Sequence, residues 1–299
     1  VTGNARGSAK REDAARIVPG EFTMSIDDFR QIAGMIHRDA GIYLQEAKAT
    51  LVYARLAKRL RALGLTNFRD YCELVAGAAG QDERLEMLAA LTTNVTRFFR
   101  EPHHFEHLKT RVLPPLLSQA DGGGRVRIWS AACSSGQEPY SIALTILSLA
   151  PDAGSRDIKV LATDIDPHVI EAGRRGVYAE ALIADVPAEM RKRYFEPARG
   201  EGQGQWRACG ALRNLVSFRQ LNLIEDWPMR GAFHAIFCRN VVIYFDEPTQ
   251  QRLWSNFIPK LEPEGRLYIG HSERVTGPAA SRLSSEGIST YHLKGAQRT

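Results

Sequence analysis

Apolar positions recur with a helical period through the first third of the chain. Phe29, Ile32, Ala33 and Ile36 follow the i, i+3, i+4, i+7 pattern of one helix face. Ser25, with an acid three residues later at Asp28, reads as the N-terminal box of that helix. A second helix is expected from about Ala47 to Leu63, stopped by Gly64, with Val52, Leu56, Leu60 and Leu63 on one side. Phe68 to Val75 and Glu83 to Leu91 supply two shorter helices. No β-rich run interrupts them, so residues 23–92 are expected to form a small all-helical domain. Residues 1–22 are polar and rich in Gly, Ala and Arg, and a disordered tail is expected there.

Beyond residue 120 the pattern changes. Asp121-Gly122-Gly123-Gly124 is a turn, and Arg125 to Ser130 reads as a strand. Pro139 to Leu149 reads as a helix with proline in its first turn. Ile158 to Thr163, Leu215 to Phe218, Ala235 to Cys238 and Arg266 to Ile269 are further strands. Pro167 to Arg175 and Pro248 to Leu261 are helices between them. Strands alternating with helices predict an α/β class with a parallel, doubly wound sheet over residues 93–299. Residues 180–214 break the alternation, and their glycines, Trp206 and basic residues suggest a small β insertion. Leu283 to Leu293 reads as an edge hairpin turning at Glu286-Gly287.

Composition narrows the class. A chain of 299 residues suggests about two domains, and 44% hydrophobic with 24% charged residues excludes disordered, collagenous and disulfide-stapled chains. No apolar run reaches the ~18 residues of a membrane helix, and the N-terminus lacks the apolar core of a secretory signal. Cys72, Cys133, Cys209 and Cys238 form no CxxC pair, so neither a zinc ribbon nor a disulfide framework is indicated. A cytosolic enzyme or binding protein remains. The net charge of +5 points weakly to an acidic partner.

Chemistry is expected where strands end, because doubly wound sheets bind ligands at their carboxyl edge. The first strand runs into Ala131-Ala132-Cys133-Ser134-Ser135-Gly136-Gln137-Glu138, either a ligand loop or merely a tight turn. Gly136 is the only glycine in it, so the G-x-G-x-x-G of a dinucleotide fold is missing, and no GK[ST] follows to make a P-loop. Asp164, 28 positions after Gly136, ends the second strand and can accept from ribose hydroxyls. Asp166 before Pro167 fits a helix cap. A buried strand ending in Arg239-Asn240 needs polar partners, from a ligand or from the following turn. Thr92 to Arg100 is poor in helix formers and, taken alone, reads as a linker with a solvated arginine. Asn94-Val95-Thr96 is a formal glycosylation sequon, discarded because nothing suggests secretion. His103 and His104 are adjacent and read as packing or surface residues rather than ligands; no metal site is expected. His271-Ser272-Glu273 contacts substrate or is structural.

Five motifs in order, LTTNVTRFFRE, SAACSSGQEPYSIA, ATDID, FCRNVVIYF and GHSE, make the chain resemble the chemotaxis receptor methyltransferase family over residues 25–293. The resemblance implies a helical domain, then a class I (Rossmann-like) methyltransferase domain with an inserted antiparallel β subdomain. It implies S-adenosylmethionine as cofactor, S-adenosylhomocysteine as product and glutamates of chemoreceptor cytoplasmic domains as acceptors. By the matching motifs, Asn94, Thr96 and Arg100 border the cofactor and the methyl-transfer point. Glu138 and the loop from Ala131 to Gly136, Ala132 within it, contact the methionine end, Asp164 the ribose, and Asn222-Leu223 the adenine. Arg239, Asn240 and Tyr244 line the cleft, and Arg100 and Tyr244 are the catalytic candidates. Ala132 stands where the resemblance implies glycine in many relatives, a change that is tolerable if its backbone keeps negative φ.

That chemistry needs no general base, because a glutamate carboxylate with a pKa of ~4.3 is already ionised. The cofactor carries the hard step, and the protein must align the reacting atoms and exclude water. The competing readings are a non-catalytic S-adenosylmethionine sensor and a nucleic-acid methyltransferase. The second is disfavoured because RNVVIYF replaces the (N/D)PP(Y/F) motif and no extended basic stripe occurs. Lys48, Arg55, Lys58, Arg59 and Arg61 are expected to form a single-signed face that docks the acidic receptor bundle. The β insertion, with Gly200, Gly202, Gly204, Arg199 and Arg207, is a candidate tether for a receptor C-terminal tail peptide. A monomer is expected, in the bacterial cytoplasm and recruited to receptor arrays, without nucleic-acid partner or membrane insertion.

Overall fold

The computed structural model describes residues 17–200 and 202–295. The chain divides into two compact units, residues 1–93 and 94–299. Residues 1–16 of the expected tail lie outside the described residues. The rest of it is not tail: Val18 and Phe22 are buried, and the Ile17 amide donates to the Met24 carbonyl.

Among the described residues the first unit has four α-helices: α1 (Ile26–Ala40), α2 (Ala49–Leu63), α3 (Phe68–Ala76) and α4 (Gln81–Leu91). The box at the start of α1 forms, with Ser25 and Asp28 exchanging side chain-to-amide hydrogen bonds. Phe29, Ile32, Met35 and Ile36 of α1, Val52, Leu56 and Leu60 of α2, and Phe68, Tyr71 and Val75 of α3 are buried. Each such side chain contributes roughly 1.5–3 kcal/mol by leaving water. Gly41 and Gly64 end α1 and α2 in the left-handed conformation that residues with a Cβ avoid.

The arginines of α2 overturn the expectation of a single-signed outer face. Arg59 makes a two-pronged pair with the buried Glu83 (2.9 and 2.5 Å), which also accepts from the Tyr71 hydroxyl at 2.9 Å. Arg59 also meets Glu86 at 3.2 Å. Arg55 donates to the carbonyls of Leu91 and Thr92, closing the end of α4. Arg61 pairs with Glu21 at 2.8 Å. The sequence pattern missed this because the acids that answer these arginines lie 24 to 40 positions away. Lys48 and Lys58 remain exposed.

The second unit opens with α5 (Pro102–His107), a short π-helical stretch (Leu108–Val112) and α6 (Leu113–Asp121). A seven-stranded sheet follows, in the order β6-β2-β1-β7-β8-β10-β9. Its strands are β1 (Val126–Ala131), β2 (Ile158–Asp164), β6 (Val216–Gln220), β7 (Phe233–Cys238), β8 (Leu261–Ile269), β9 (Leu283–Gly287) and β10 (Thr290–Leu293). The first five are parallel, and β10 and β9 close one side as an antiparallel hairpin. That hairpin turns at Ile288-Ser289, two residues later than expected. Strands buried on both faces explain the run Ala235 to Cys238, all fully buried. Crossover helices α7 (Gln137–Leu149), α8 (Pro167–Arg175) and α11 (Glu247–Phe257) link parallel strands.

The insertion is a three-stranded antiparallel sheet, β3-β5-β4, built from β3 (Val177–Ala179), β4 (Phe195–Pro197) and β5 (Gln205–Ala208). Helix α9 (Ala188–Tyr194) lies between its first two strands, and a short α10 (Gly210–Arg213) leads to β6. The fold is thus an all-helical unit followed by a mostly parallel α/β unit with a small antiparallel sheet. No helix among the described residues is long and apolar enough to cross a membrane.

Candidate active site

Strand register gathers the expected residues at one edge of the large sheet. Ala131 at the end of β1 lies opposite Thr163 of β2 and Cys238 of β7, and Asp164 lies opposite Gln220 of β6. The segments that follow therefore leave side by side, at the edge where such sheets bind ligands. They carry Ala132, Asp166, Asn222-Leu223 and Arg239-Asn240, with Asp164 as the last residue of its strand. Asn222 bonds Glu225 at 2.9 Å, Leu223 is buried, and Tyr244 sits partly exposed in the 3₁₀ turn Val242–Tyr244.

The Asn94 to Glu101 segment is fastened to this edge by hydrogen bonds. Ser134 Oγ donates to the Asn94 carbonyl, and Asn94 Nδ2 donates to Asp166, both at 2.8 Å. The Phe99 amide donates to Ser141 Oγ at 2.9 Å. Arg100 Nη1 donates to the Val95 carbonyl at 3.1 Å, and the Arg100 carbonyl accepts from Arg239 Nη2. Thr96 is partly exposed in the same loop. Non-glycine residues at positive φ, Phe99 (52°) and Glu101 (58°), turn the chain sharply around Arg100.

The loop after β1 is equally contorted, with Ala132 at φ 60°, Ser134 at 50° and Gly136 at 98°. The condition under which alanine would be tolerable at 132, a negative φ, is therefore not met. The Ala132 methyl group sits in the left-handed region, at a cost of roughly 1–2 kcal/mol that glycine would not incur. Asp164 stabilises the turn: one carboxylate oxygen accepts from the Ser134 amide at 2.8 Å and the other from the Asp166 amide at 3.1 Å. Burial pushes the Asp164 carboxyl up to about 6, against these amides, which favour the ionised form. Asp166 caps α8 through the His168 amide, as its place before Pro167 suggested.

Arg239 is the electrostatic centre. Its side chain is 1% exposed and reaches Glu138 at 3.0 Å and Glu101 at 3.4 Å. Glu138 also accepts from Ser130 at 2.7 Å. Burial raises the Glu138 carboxyl above its ordinary value despite Arg239 and Ser130, which oppose the rise. Burial also pulls Glu101 upward, but Arg239, with hydrogen bonds from His271 and Asn240, outweighs it and holds the carboxyl at about 2. Next to Glu101, His104 is fully buried, and desolvation, with Arg239 adding repulsion, drops its pKa to about 3. Glu101, His103 and His104 bring potential donor atoms within 4.8 Å of one another, yet the Arg239 cation already answers Glu101.

The edge suits a cofactor with a cationic amine, a carboxylate and ribose hydroxyls. Arg239 Nε is a buried donor without an acceptor in the protein, which the carboxylate of a methionine moiety could supply. Glu138 and Asp164 are acids of matching chemistry for an ammonium and for hydroxyls. Residues 94–291 match the family described as "CheR methyltransferase, SAM binding domain", and residues 27–92 its "CheR methyltransferase, all-alpha domain". The chain belongs to the CheR methyltransferase family. Its cofactor is S-adenosylmethionine. A "Probable chemotaxis protein methyltransferase" of Rhizobium etli is 55% identical, covering 86% of this chain and 96% of that one. "Chemotaxis protein methyltransferase 2" of Pseudomonas aeruginosa is 44% identical, covering 91% and 94%. The Escherichia coli "Chemotaxis protein methyltransferase" is 42% identical, covering 91% and 92%.

Family motifs flagged Arg100 and Arg239, but the sequence reading missed Glu101, which pairs with Arg239. Its position directly after Arg100 was the available signal. Ser134 lay within the Ala131 to Gly136 loop expected at the methionine end, but its bonds to Asp164 and Asn94 carried no signal of their own in the sequence. The docking candidates Lys48, Arg55, Lys58, Arg59 and Arg61 all belong to the helical unit.

Proposed function

We propose that the chain transfers the methyl group of S-adenosylmethionine to glutamate side chains of chemoreceptor cytoplasmic domains, forming glutamyl methyl esters. The observation that carries this reading is the Arg239 bridge. One guanidinium pairs with Glu138 beside the strand ends and donates to the Arg100 carbonyl, so the Arg100 loop is fixed to the cofactor edge.

When bound, the cofactor supplies an electrophilic sulfonium methyl. Glu138 and Arg239 hold the methionine end, Asn94, Thr96 and Ala132 line it, and Asn222 and Leu223 flank the adenine. Asp164 orients the ribose and keeps the loop after β1 in its turned form. The acceptor carboxylate is ionised at neutral pH, so the protein has only to place it. Arg100 has the planar fork to grip one oxygen while the other faces the methyl group. Asn240 and Tyr244 shape the far wall and exclude water from the carboxylate, raising its nucleophilicity. Lys48, at the N-cap of α2, and Lys58, on it, are the basic side chains best placed to meet an acidic receptor bundle, since Arg55, Arg59 and Arg61 already serve the helical unit. The small sheet has open edges at β3 and β4, where a receptor tail peptide can add a strand.

The test is methylation of a receptor cytoplasmic fragment, with sites located by tandem mass spectrometry. Methyl groups on glutamates support the reading, and Arg100→Ala should lower kcat far more than cofactor affinity. Methylation confined to other side chains would exclude it.

A further inference from the structure

Glu273 lies in the turn after β8 and is 5% exposed. Its carboxylate accepts four backbone amides. Oε2 takes Gly270 N at 2.6 Å and Asn240 N at 2.9 Å, and Oε1 takes Val241 N and Val242 N, each at 2.9 Å. A carboxylate offers about four lone-pair sites, so this one has no capacity left for a substrate or an ion. Three of its donors are consecutive residues that run from the loop after β7 into the first residue of the turn that carries Tyr244. Asn240 there has φ 58°, a conformation a non-glycine residue holds only when its surroundings enforce it. The same loop is tied on its other side, where Asn240 Nδ2 donates to Glu101 Oε1 at 3.3 Å. His271, two residues before Glu273, reaches that oxygen through its ring at 3.2 Å.

Gly270 completes the device. A Cβ there would fall 2.5 Å from Asn240 Nδ2, 2.8 Å from the Asn240 amide and 2.8 Å from Glu273 Oε2. Glycine is therefore required for the two segments to approach, and the buried anion holds them together. An acid whose only partners are amides is an expensive way to stabilise a fold, because an unpaired carboxylate resists burial. Its placement under Asn240 and Tyr244 gives the expense a purpose.

We propose that Glu273 is a positioning residue of the methyl-transfer reaction. It clamps the Asn240-Val241-Val242 amides and so fixes the side chains of Asn240 and Tyr244 against the cofactor without touching cofactor or substrate. This rests on the functional reading above. The Gly-His-Ser-Glu turn is thus a backbone anchor rather than a substrate contact.

The test compares the full-length wild type with Glu273→Gln, and with Gly270→Ala, which keeps the carboxylate but wedges the segments apart. Three quantities are read: amide hydrogen exchange of residues 239–245, S-adenosylmethionine affinity by calorimetry, and kcat and KM on receptor fragment. Loss of a charge-assisted hydrogen bond corresponds to roughly a 10- to 100-fold change. Exchange at 240–242 should accelerate by at least that factor in both variants. Cofactor affinity and kcat should fall together by about 10- to 100-fold, while KM for receptor stays within about two-fold. Faster exchange with unchanged affinity and kcat would reduce Glu273 to a structural anchor and overturn the proposal. So would unchanged exchange in both variants. Should Glu273→Gln be too unstable to purify, Gly270→Ala decides by the same readouts. If wild type methylates no receptor, the glutamate reading fails, and exchange with cofactor affinity still judges Glu273.

Discussion

Arg239→Met isolates the electrostatics of the site. The guanidinium is almost wholly buried and answers two carboxylates, Glu138 and Glu101. Methionine roughly fills the volume but leaves both acids buried without a cation. Breaking a buried pair in this way costs about 3–5 kcal/mol. For a unit of roughly 200 residues each kcal/mol shifts Tm by about 2–4 °C, so the loss should be about 6–20 °C at pH 7. Its pH dependence is a sharper check. Glu101 has a folded pKa of about 2 against an ordinary 4.5, so the folded state binds fewer protons between those values. Its contribution to stability is full above pH 4.5 and is lost as pH falls through 2. Arg239→Met removes that contribution, so the wild-type advantage should be large at pH 7 and smaller at pH 3.5. Scanning calorimetry of both full-length proteins at the two pH values measures it. A Tm loss under about 3 °C at pH 7, or a gap that does not narrow at pH 3.5, would refute the reasoning.

Other outcomes follow from the same structure. Asp164→Ala should weaken S-adenosylmethionine binding by about 1.5–3 kcal/mol, read by calorimetry; unchanged affinity would remove Asp164 from the cofactor site. His104 has a folded pKa near 3 against an ordinary 6.5, so it adds stability above pH 6.5 that is lost as pH falls toward 3. His104→Gln should flatten the fall in stability between pH 6.5 and 4.5 in urea titrations. Glu83→Gln should destabilise the helical unit by about 1–3 kcal/mol, because Arg59 and Tyr71 lose charge-assisted hydrogen bonds while Arg59 keeps Glu86. Lys48→Glu with Lys58→Glu should raise KM for receptor and flatten its salt dependence, leaving cofactor affinity unchanged.

The alternation of helix and strand was legible because strands buried on both faces and capped helices leave strong local patterns. Asp166 before Pro167 and Ser25 with Asp28 are caps that the structure realises. The hairpin at the sheet edge was legible too, though its turn was not. Long-range pairing was hidden. Nothing local tells that Arg59 belongs to Glu83 or Arg55 to the end of α4, so in a helix face that looked single-signed Arg59 and Arg61 pair with acids of their own unit and Arg55 with carbonyls. The left-handed backbone at Ala132 was also hidden, since alanine normally signals its absence. Glu273 sat in a motif open to substrate contact or to a structural role, and only its four amide partners show that it faces the backbone.

The central claim is that the acceptor is a carboxylate. S-adenosylmethionine tritiated in its methyl group, incubated with the protein and a receptor cytoplasmic fragment, tests it most directly. Mild alkali hydrolyses a methyl ester to methanol but leaves methyl groups on nitrogen in place. The account predicts that receptor-bound label becomes volatile on alkali treatment and is nearly abolished by Arg100→Ala. Label that stays on the receptor through alkali, or no transfer by a wild-type protein that binds the cofactor, would contradict it.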